Sequence, residues 1–366
     1  MADVLTFGIE EEFLVVDARG RPVHAAEAVL DSAGDSGVGD LQQELTKSQA
    51  ETATGICVTG DEAVEQLRAM RTSLARAADR RGLRILPCAS PPVSAGELPA
   101  ITATPRYRRM AAHFGATART TLTCGCHVHV AVPDPEAGTR VLGHVRPWLP
   151  ALLTVTANSA IADGIDTEYC SWRNQEWARW PSAGPPPRFA SHADYEGVVD
   201  AWLRAGAILD RGMVYWDVRL SEEQPTIEFR VADVAATAEE ATLLAVLCRA
   251  LVATVLDAGD PPHLSNEVLR GQLWRAAREG VMGHCPNPAT GDLLPAVEVL
   301  KRLAEFCAPA LRSAGDTEFV REGLARLARD GGGADRQRRL FAERENAADV
   351  VDQFAVGAAE PRPATA

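Results

Sequence analysis

The sequence predicts an α+β protein organised as one domain, on three observations. Several short stretches alternate apolar and polar residues as half-buried strands do; residues 4–17, 121–132 and 226–232 are the clearest. The segments between them carry apolar residues at helical spacing, as in Val64, Leu67, Leu74 and Ala78. No internal repeat and no clear linker interrupts the chain. Residues 1–345 are therefore read as a single domain and residues 346–366 as a partly disordered C-terminal tail.

Phe7-Gly8-Ile9-Glu10-Glu11-Glu12-Phe13 opens the first strand. Alternation puts Phe7, Ile9, Glu11, Phe13 and Val15 on one face and Gly8, Glu10 and Glu12 on the other. Two carboxylates two residues apart on such a face repel each other and lose solvation. A hard divalent cation such as Mg2+ would resolve that conflict; a wet edge strand would avoid it. Arg19-Gly20-Arg21-Pro22 is turn chemistry. Residues 23–40 are small and polar, with loop over 34–39. Two short extended pieces between Leu41 and Val58 contain Glu44 and Glu51. Thr59-Gly60-Asp61-Glu62 has capping-box spacing, and the helix it opens runs to Arg81, where Gly82 stops it. Leu83–Cys88 reads as a short buried strand, residues 89–105 as a proline-rich loop and residues 106–114 as a helix.

Thr121–Val132 is the second strand that carries chemistry. Its Cys124-x-Cys126-His127-x-His129 spacing suggests zinc. Alternation excludes it, because the cysteines and the histidines point to opposite faces and cannot converge on one tetrahedral ion. A helix over 135–160 is interrupted by Pro147 and Pro150. Residues 160–191 form a long irregular segment whose Trp and Tyr content argues for order; loops of that length usually serve a site. After a helix at 194–211, Val214–Arg219 and Thr226–Ala232 pair as a hairpin. Tyr215, Asp217 and Arg219 share one face of it, and so do Thr226, Glu228 and Arg230. Glu228 and Arg230 belong either to a cross-strand ion pair or to a metal carboxylate beside a phosphate-binding guanidinium. The apolar helix 238–257 packs under the sheet, and residues 264–345 read as helices. The Gly331-Gly332-Gly333 turn before Arg336 and Arg338 either holds phosphate or caps a helix with solvated arginines.

The net charge of −13 argues against non-specific binding to nucleic acid or to an anionic membrane. The N-terminus lacks signal-peptide features and no apolar run is long enough to span a bilayer. A cytoplasmic location is expected, with the eight cysteines as buried thiols. There is no P-loop, no dinucleotide-binding glycine turn and no Ser-His-Asp or reactive-cysteine signature. What accumulates is Glu10, Glu12, Glu44, Glu51 and Glu228 on strands, with histidines and arginines beside them. That set suits a two-metal, oxygen-rich phosphoryl-transfer site.

The motifs also follow one another in a familiar order. Gly-Ile-Glu-Glu-Glu-Phe is followed by Glu44, by Glu51-x3-Gly55 and by Cys-Gly-Cys-His-Val-His-Val. Ala157-Asn158-Ser159, Asp166-Thr167, Trp172-Arg173 and Trp180-Pro181-x-Ala183-Gly184-Pro185 come next. Thr226-x-Glu228-x-Arg230-x2-Asp233, Trp274-Arg275-Ala276-Ala277-Arg278 and Arg336-Gln337-Arg338 complete the series. The series resembles the carboxylate–amine ligase family, also called type 2 glutamate–cysteine ligases, over nearly the whole chain. The resemblance implies a curved, mainly antiparallel sheet with helices on its outer face, similar to the catalytic domain of glutamine synthetase. It implies an ATP- and Mg2+-dependent ligase that joins a carboxylate, with glutamate as donor, to an amine through an acyl phosphate. Glu10, His127 and Glu228 would hold one Mg2+, and Glu12, Glu51 and Glu44 another, with two or three ions in all. Arg230 would stabilise the transferred phosphoryl group, and Arg173 and Arg219 would meet the substrate carboxylate or phosphate. Arg336, Arg338 and His129 are expected at the nucleotide. The partners expected are amino-acid or amine substrates, without nucleic acid or membrane; a homodimer is an expectation that the residues themselves do not carry.

Two stretches depart from the family pattern. Ala160-Ile161-Ala162 stands where Pro-Phe-Trp is expected, and Glu168-Tyr169-Cys170-Ser171 where Gly-Tyr-Ala-Ser is expected. The first change removes two rings, each burying roughly 150–250 Å², from an expected pocket wall. The second adds a carboxylate that would favour a cationic amine. Alternatively these residues lie on the outer surface of the loop and touch no substrate. The rival readings are the same chemistry on a different amino acid or amine, a non-catalytic ligand-binding homologue, or a phosphotransferase to a guanidino or amine group.

Overall fold

The computed structural model describes residues 4–33 and 39–357. Its strands are β1 (Phe7–Val16), β2 (Gly39–Gln43), β3 (Gln49–Thr54), β4 (Arg84–Leu86), β5 (Gly125–Ala131), β6 (Ile161–Ala162), β7 (Ile165–Asp166), β8 (Val218–Leu220), β9 (Thr226–Asp233), β10 (His284–Pro286) and β11 (Leu293–Pro295). One sheet runs in the order β2-β3-β1-β5-β9-β8, with β4 also paired to the end of β1. Every pairing in it is antiparallel. β6–β7 and β10–β11 are separate two-stranded hairpins.

Alternation sorts the two faces of this sheet. Phe7, Ile9, Cys126, Val128, Val130, Ile227, Phe229 and Val231 are buried on one face, under the helices Gly60–Asp79 and Ala238–Val255. Both helices start as their sequences direct: Thr59 accepts a hydrogen bond from the Glu62 amide and Thr237 from the Glu240 amide, each at 3.2 Å. Acidic residues fill both first turns, where the helix dipole favours them. The α+β class with helices on one sheet face is as the sequence predicts.

The apolar face carries one acid. Glu11 is fully buried and meets Arg71 of the helix Gly60–Asp79 through two hydrogen bonds, of 2.6 and 2.9 Å. Arg71 also donates to the Ala235 carbonyl at 2.9 Å. The pair ties β1, that helix and the segment after β9 at one point.

The clean alternation expected over 226–232 breaks at a bulge. Cys126 faces Ala232 but Val128 faces Phe229, so Arg230 and Val231 together stand opposite His127. Val231 and Ala232 both join the core, and Asp233, opposite Gly125, returns to the face of Glu228.

Elsewhere the structure refines the sequence reading. Ala26–Ala33 is a helix inside the stretch read as small and polar; the loop expected just after it lies mostly outside the described residues. The helix expected over 135–160 is two helices, Pro135–Val145 and Leu149–Thr156, joined by a 3-10 turn. Pro147 and Pro150 have no amide hydrogen to continue a single ladder. The β10–β11 hairpin interrupts the region read as wholly helical. Residues 347–354, expected as part of a tail, are helical. Ala347–Phe354 is a helix whose Ala347, Val350 and Val351 are buried in the cluster that contains Val16 and Ile85. Their helical spacing presents one apolar face to that core. Residues 358–366 lie outside the described residues.

Glu11→Gln is expected to lower the free energy of unfolding by about 3–5 kcal/mol, because it leaves Arg71 buried without its counter-charge. Urea denaturation measures this, and the double substitution Glu11→Leu with Arg71→Met should cost less than either single change. A loss below about 1 kcal/mol in Glu11→Gln would show that the pair does not hold the helix to the sheet.

Candidate active site

The polar face of the sheet forms the floor of a cleft of about 1290 Å³, walled in part by Tyr107, Trp177, Trp180 and Tyr215. Single-ligand pockets run to roughly 300–1,000 Å³, so this cleft is larger than one small ligand needs.

Strand register assembles the cleft floor. Glu10 stands opposite His127 and Glu12 opposite Glu51. His129 stands opposite Glu228, and Glu228 opposite Arg219. Two groups of potential ligands result, Glu10 with His129 and Glu228, and Glu12 with Glu44 and Glu51; within each group the ligand atoms lie within 4.8 Å of one another. The histidine of the first group is thus His129, expected at the nucleotide, with its Nε2 3.2 Å from Glu10. His127 adjoins the group, its Nδ1 3.0 Å from Glu10 and 4.0 Å from Glu228. Its Nε2 is buried without a hydrogen-bond partner.

The two groups differ in charge balance. Glu228 is buried between two guanidinium groups: Arg219 Nε donates to it at 2.7 Å, and Arg230 pairs with its other oxygen. Burial favours its neutral form, but Arg230 and then Arg219 outweigh that and hold the carboxyl well below the usual range. Glu10 is likewise held low, since hydrogen bonds with His127 and His129 overcome the effect of burial. The other group has the opposite balance. Burial, then the charge of Glu44, pushes the Glu12 carboxyl up. Burial, Glu44, Glu10 and Glu12 push Glu51 well above the usual range. Three converging carboxylates form an all-oxygen donor set with excess negative charge, which fits a hard ion such as Mg2+.

Arg173, on the helix Trp172–Trp177, lies beside this floor over Gly125 and does not itself line the cleft. It is buried, with its guanidinium carbon 5.5 Å from the centre of the Trp177 ring. Gly125 makes room for it: a Cβ there would stand 2.5 Å from Arg173 Nη2 and 3.0 Å from His127 Nε2. Glu12 accepts a hydrogen bond from the Gly125 amide at 2.6 Å.

Arg336 and Arg338, expected at the nucleotide, do not line this cleft. Arg336 forms a two-point pair with Glu240 at 2.7 and 2.9 Å, and Arg338 pairs with Asp166 at 3.0 Å. Their charges are met by these acids away from the sheet face. Between them Gln337 donates to the Asn158 carbonyl and side-chain oxygens, both at 2.8 Å. The Arg-Gln-Arg and Ala-Asn-Ser motifs thereby fasten two distant segments together.

The departures from the family pattern do not line the cleft either. Ile161 is fully buried in an apolar cluster, and Glu168 is 74% exposed and pairs with Arg278 at 2.8 Å. The expected reshaping of the pocket wall is corrected accordingly; from residues 160–191 it is Trp177 and Trp180 that reach the cleft. Sequence reasoning gave no site role to Tyr107, which carries no signal except aromatic character, and placed Tyr215 only on the face of Asp217 and Arg219. All eight cysteines are free and buried.

A sheet face that joins clustered carboxylates, histidines and arginines in a wide cleft suits metal-dependent chemistry on charged substrates. The glutamate–cysteine ligase family 2 model matches residues 6–354, and the chain belongs to that family. It is 48% identical over 352 residues to a candidate glutamate–cysteine ligase 2-1 of Rhodococcus jostii (strain RHA1), covering 95% of each chain. It is 48% identical to a candidate glutamate–cysteine ligase 2-2 of Mycobacterium sp. (strain KMS), covering 97% of this chain and 99% of that one. In fold it is similar to a bifunctional glutathione synthetase from Pasteurella multocida, with a TM-score of 0.69 at 16% identity; the match covers 96% of this chain and 52% of that longer one. It is also similar to a glutamate–cysteine ligase of Francisella tularensis in complex with AMP, with a TM-score of 0.62 at 13% identity over 96% and 91% of the two chains. The chain is an ATP-dependent ligase of the glutamate–cysteine type that forms an amide bond. No helix among the described residues is long and apolar enough to cross a membrane.

Glu51→Gln is expected to stabilise the metal-free protein by about 0.5–2 kcal/mol, since it removes one of three mutually repelling carboxylates. It should also abolish the rise in melting temperature on adding Mg2+ with ATP. Calorimetry with and without Mg2+ measures both, and a destabilised metal-free variant would contradict the charge balance derived above.

Proposed function

We propose that the cleft makes γ-glutamyl amides through an acyl phosphate. The γ-carboxylate oxygen of glutamate attacks the terminal phosphorus of ATP, and the bond to the bridging oxygen of ADP breaks. The amine of cysteine then attacks the acyl carbon, phosphate leaves with the electron pair of the C–O bond, and the amine gives up a proton. The observation that carries this reading is that one sheet face holds both ligand groups, with Arg219 and Arg230 paired to Glu228 of the first.

In this reading Glu10, Glu228 and His129, with His127 alongside, hold one Mg2+, and Glu12, Glu44 and Glu51 hold a second. When bound, these ions neutralise the phosphate oxygens of ATP. Arg230 faces charge that develops on the transferred phosphoryl group. Arg219 keeps Glu228 ionised and oriented, and its position opposite Glu228 leaves it within reach of the same phosphoryl oxygens. Arg173, over Gly125 and beside His127 on the same sheet face, would meet the donor carboxylate. Preorganised guanidinium groups of this kind lower the barrier without reorganising during the step. Cysteine is retained as acceptor because the altered residues 160–162 and Glu168 stand away from the cleft wall. The eight free thiols suit the reducing conditions of the cytoplasm.

With ATP, Mg2+, glutamate and cysteine, the purified protein is expected to release one phosphate for each amide formed. Hydroxylamine in place of cysteine should yield the γ-glutamyl hydroxamate. Glu10→Gln and Glu228→Gln should both lose turnover by at least about a hundredfold while remaining folded by circular dichroism. AMP and pyrophosphate as products would replace the acyl phosphate by an adenylate and overturn the reading.

A further inference from the structure

Asp233 is a fully buried carboxylate that the reaction outlined above does not use. The bulge at Arg230 and Val231 is what turns it to the cleft side of the sheet, opposite Gly125. There it accepts three hydrogen bonds. The Asn158 amide and the Ser159 hydroxyl donate to Oδ2 at 2.8 and 2.7 Å, and the Ser171 hydroxyl donates to Oδ1 at 2.7 Å. Ser159 and Ser171 flank the excursion that contains β6 and β7, and their backbones form a bridge. One carboxylate therefore clamps both ends of that excursion to the sheet.

The clamp leads directly to Arg173. Ser159 Oγ, while donating to Asp233, accepts the Arg173 amide at 3.0 Å. Ser171 Oγ, while donating to Asp233, accepts the Asn174 amide at 3.3 Å as the cap of the helix Trp172–Trp177. Arg173 thus leaves its helix with its backbone held on either side. Its guanidinium lies over Gly125, the register partner of Asp233, and beside His127 Nε2. Asp233 also acts on Arg173 as a counter-charge. A carboxylate is suited to this place because it accepts at both oxygens; an amide has one accepting oxygen and would turn two N–H donors toward groups that are themselves donors.

We infer that Asp233, through Ser159 and Ser171, is the positioning element that sets Arg173 against the reacting groups. The inference rests on the reading of Arg173 as a substrate-facing cation given above. Its consequence is specific: loosening the clamp impairs the chemical step and the use of glutamate, and leaves ATP binding unchanged.

The test uses the full chain with ATP, Mg2+, glutamate and cysteine, well below the melting temperature of each variant. Ser159→Ala and Ser171→Ala each remove one arm of the clamp, so the inference does not depend on Asp233→Asn folding. Each is expected to lower kcat about tenfold to a hundredfold, the scale of a misplacement near 1 Å, with the KM for ATP changed less than twofold. Ser171→Thr, which keeps the hydroxyl, should restore kcat. In an Arg173→Lys background the serine substitutions should have little further effect, since coupled groups are not additive. Wild-type kcat in both serine variants, or equal losses in both backgrounds, would overturn the positioning role and leave only a structural clasp. Wild-type kinetics in Arg173→Lys alone would instead overturn the reading of Arg173.

Discussion

The structure depends on how acid groups are distributed across one antiparallel sheet. Glu10, Glu12, Glu44, Glu51 and Glu228 stand on or beside its polar face, and the ways their charge is met differ from strand to strand. Glu228 is flanked by Arg219 and Arg230, and Glu10 by two histidines. Glu12, Glu44 and Glu51 meet mainly one another. The uneven distribution makes one end of the cleft self-neutralised and leaves the other with excess negative charge, suited to a hard cation. Stability is given up locally for a preorganised electrostatic site, as active sites commonly do.

Such a face persists only because the rest of the fold holds it. The apolar reverse face packs on two long helices, and its single acid, Glu11, is matched by Arg71. Register then does what side-chain flexibility cannot: it sets Glu10 against His127, Glu12 against Glu51 and Glu228 against Arg219 on fixed backbone. The long segment that crosses the cleft is fastened by polar groups buried away from the chemistry, with Gln337 on Asn158 and Asp233 on Ser159 and Ser171. Motifs that read in sequence as a phosphate turn or a pocket wall turn out to be these fastenings.

Alternation in the first and fifth strands made Glu10, Glu12, His127 and His129 legible, because a strand has only two faces and the apolar partners named the buried one. The hairpin of β8 and β9 was legible for the same reason, and so was the exclusion of zinc at Cys124 and Cys126. Alternation could not show the bulge at Arg230 and Val231, which depends on pairing with a strand distant in sequence. Without it Asp233 belongs to the wrong face. Arg336 and Arg338 look alike in sequence whether they meet phosphate or an acid; Glu240 and Asp166, with which they pair, are distant along the chain.

By itself the sequence determined the α+β class, the faces of the main strands and the acid, histidine and arginine content of the site, since these follow from local periodicity and residue chemistry. The order of its motifs also pointed to the ligase family. The tertiary structure alone decided which groups share a cluster, bringing His129 to Glu10 and Glu228 with His127 adjoining them. It also decided that residues 160–162 and Glu168 stand away from the cleft, and that Arg173 lies over Gly125. These outcomes turn on distances of a few ångströms between strands and loops remote in sequence, which register, a bulge and buried hydrogen bonds set only once the chain has closed on itself.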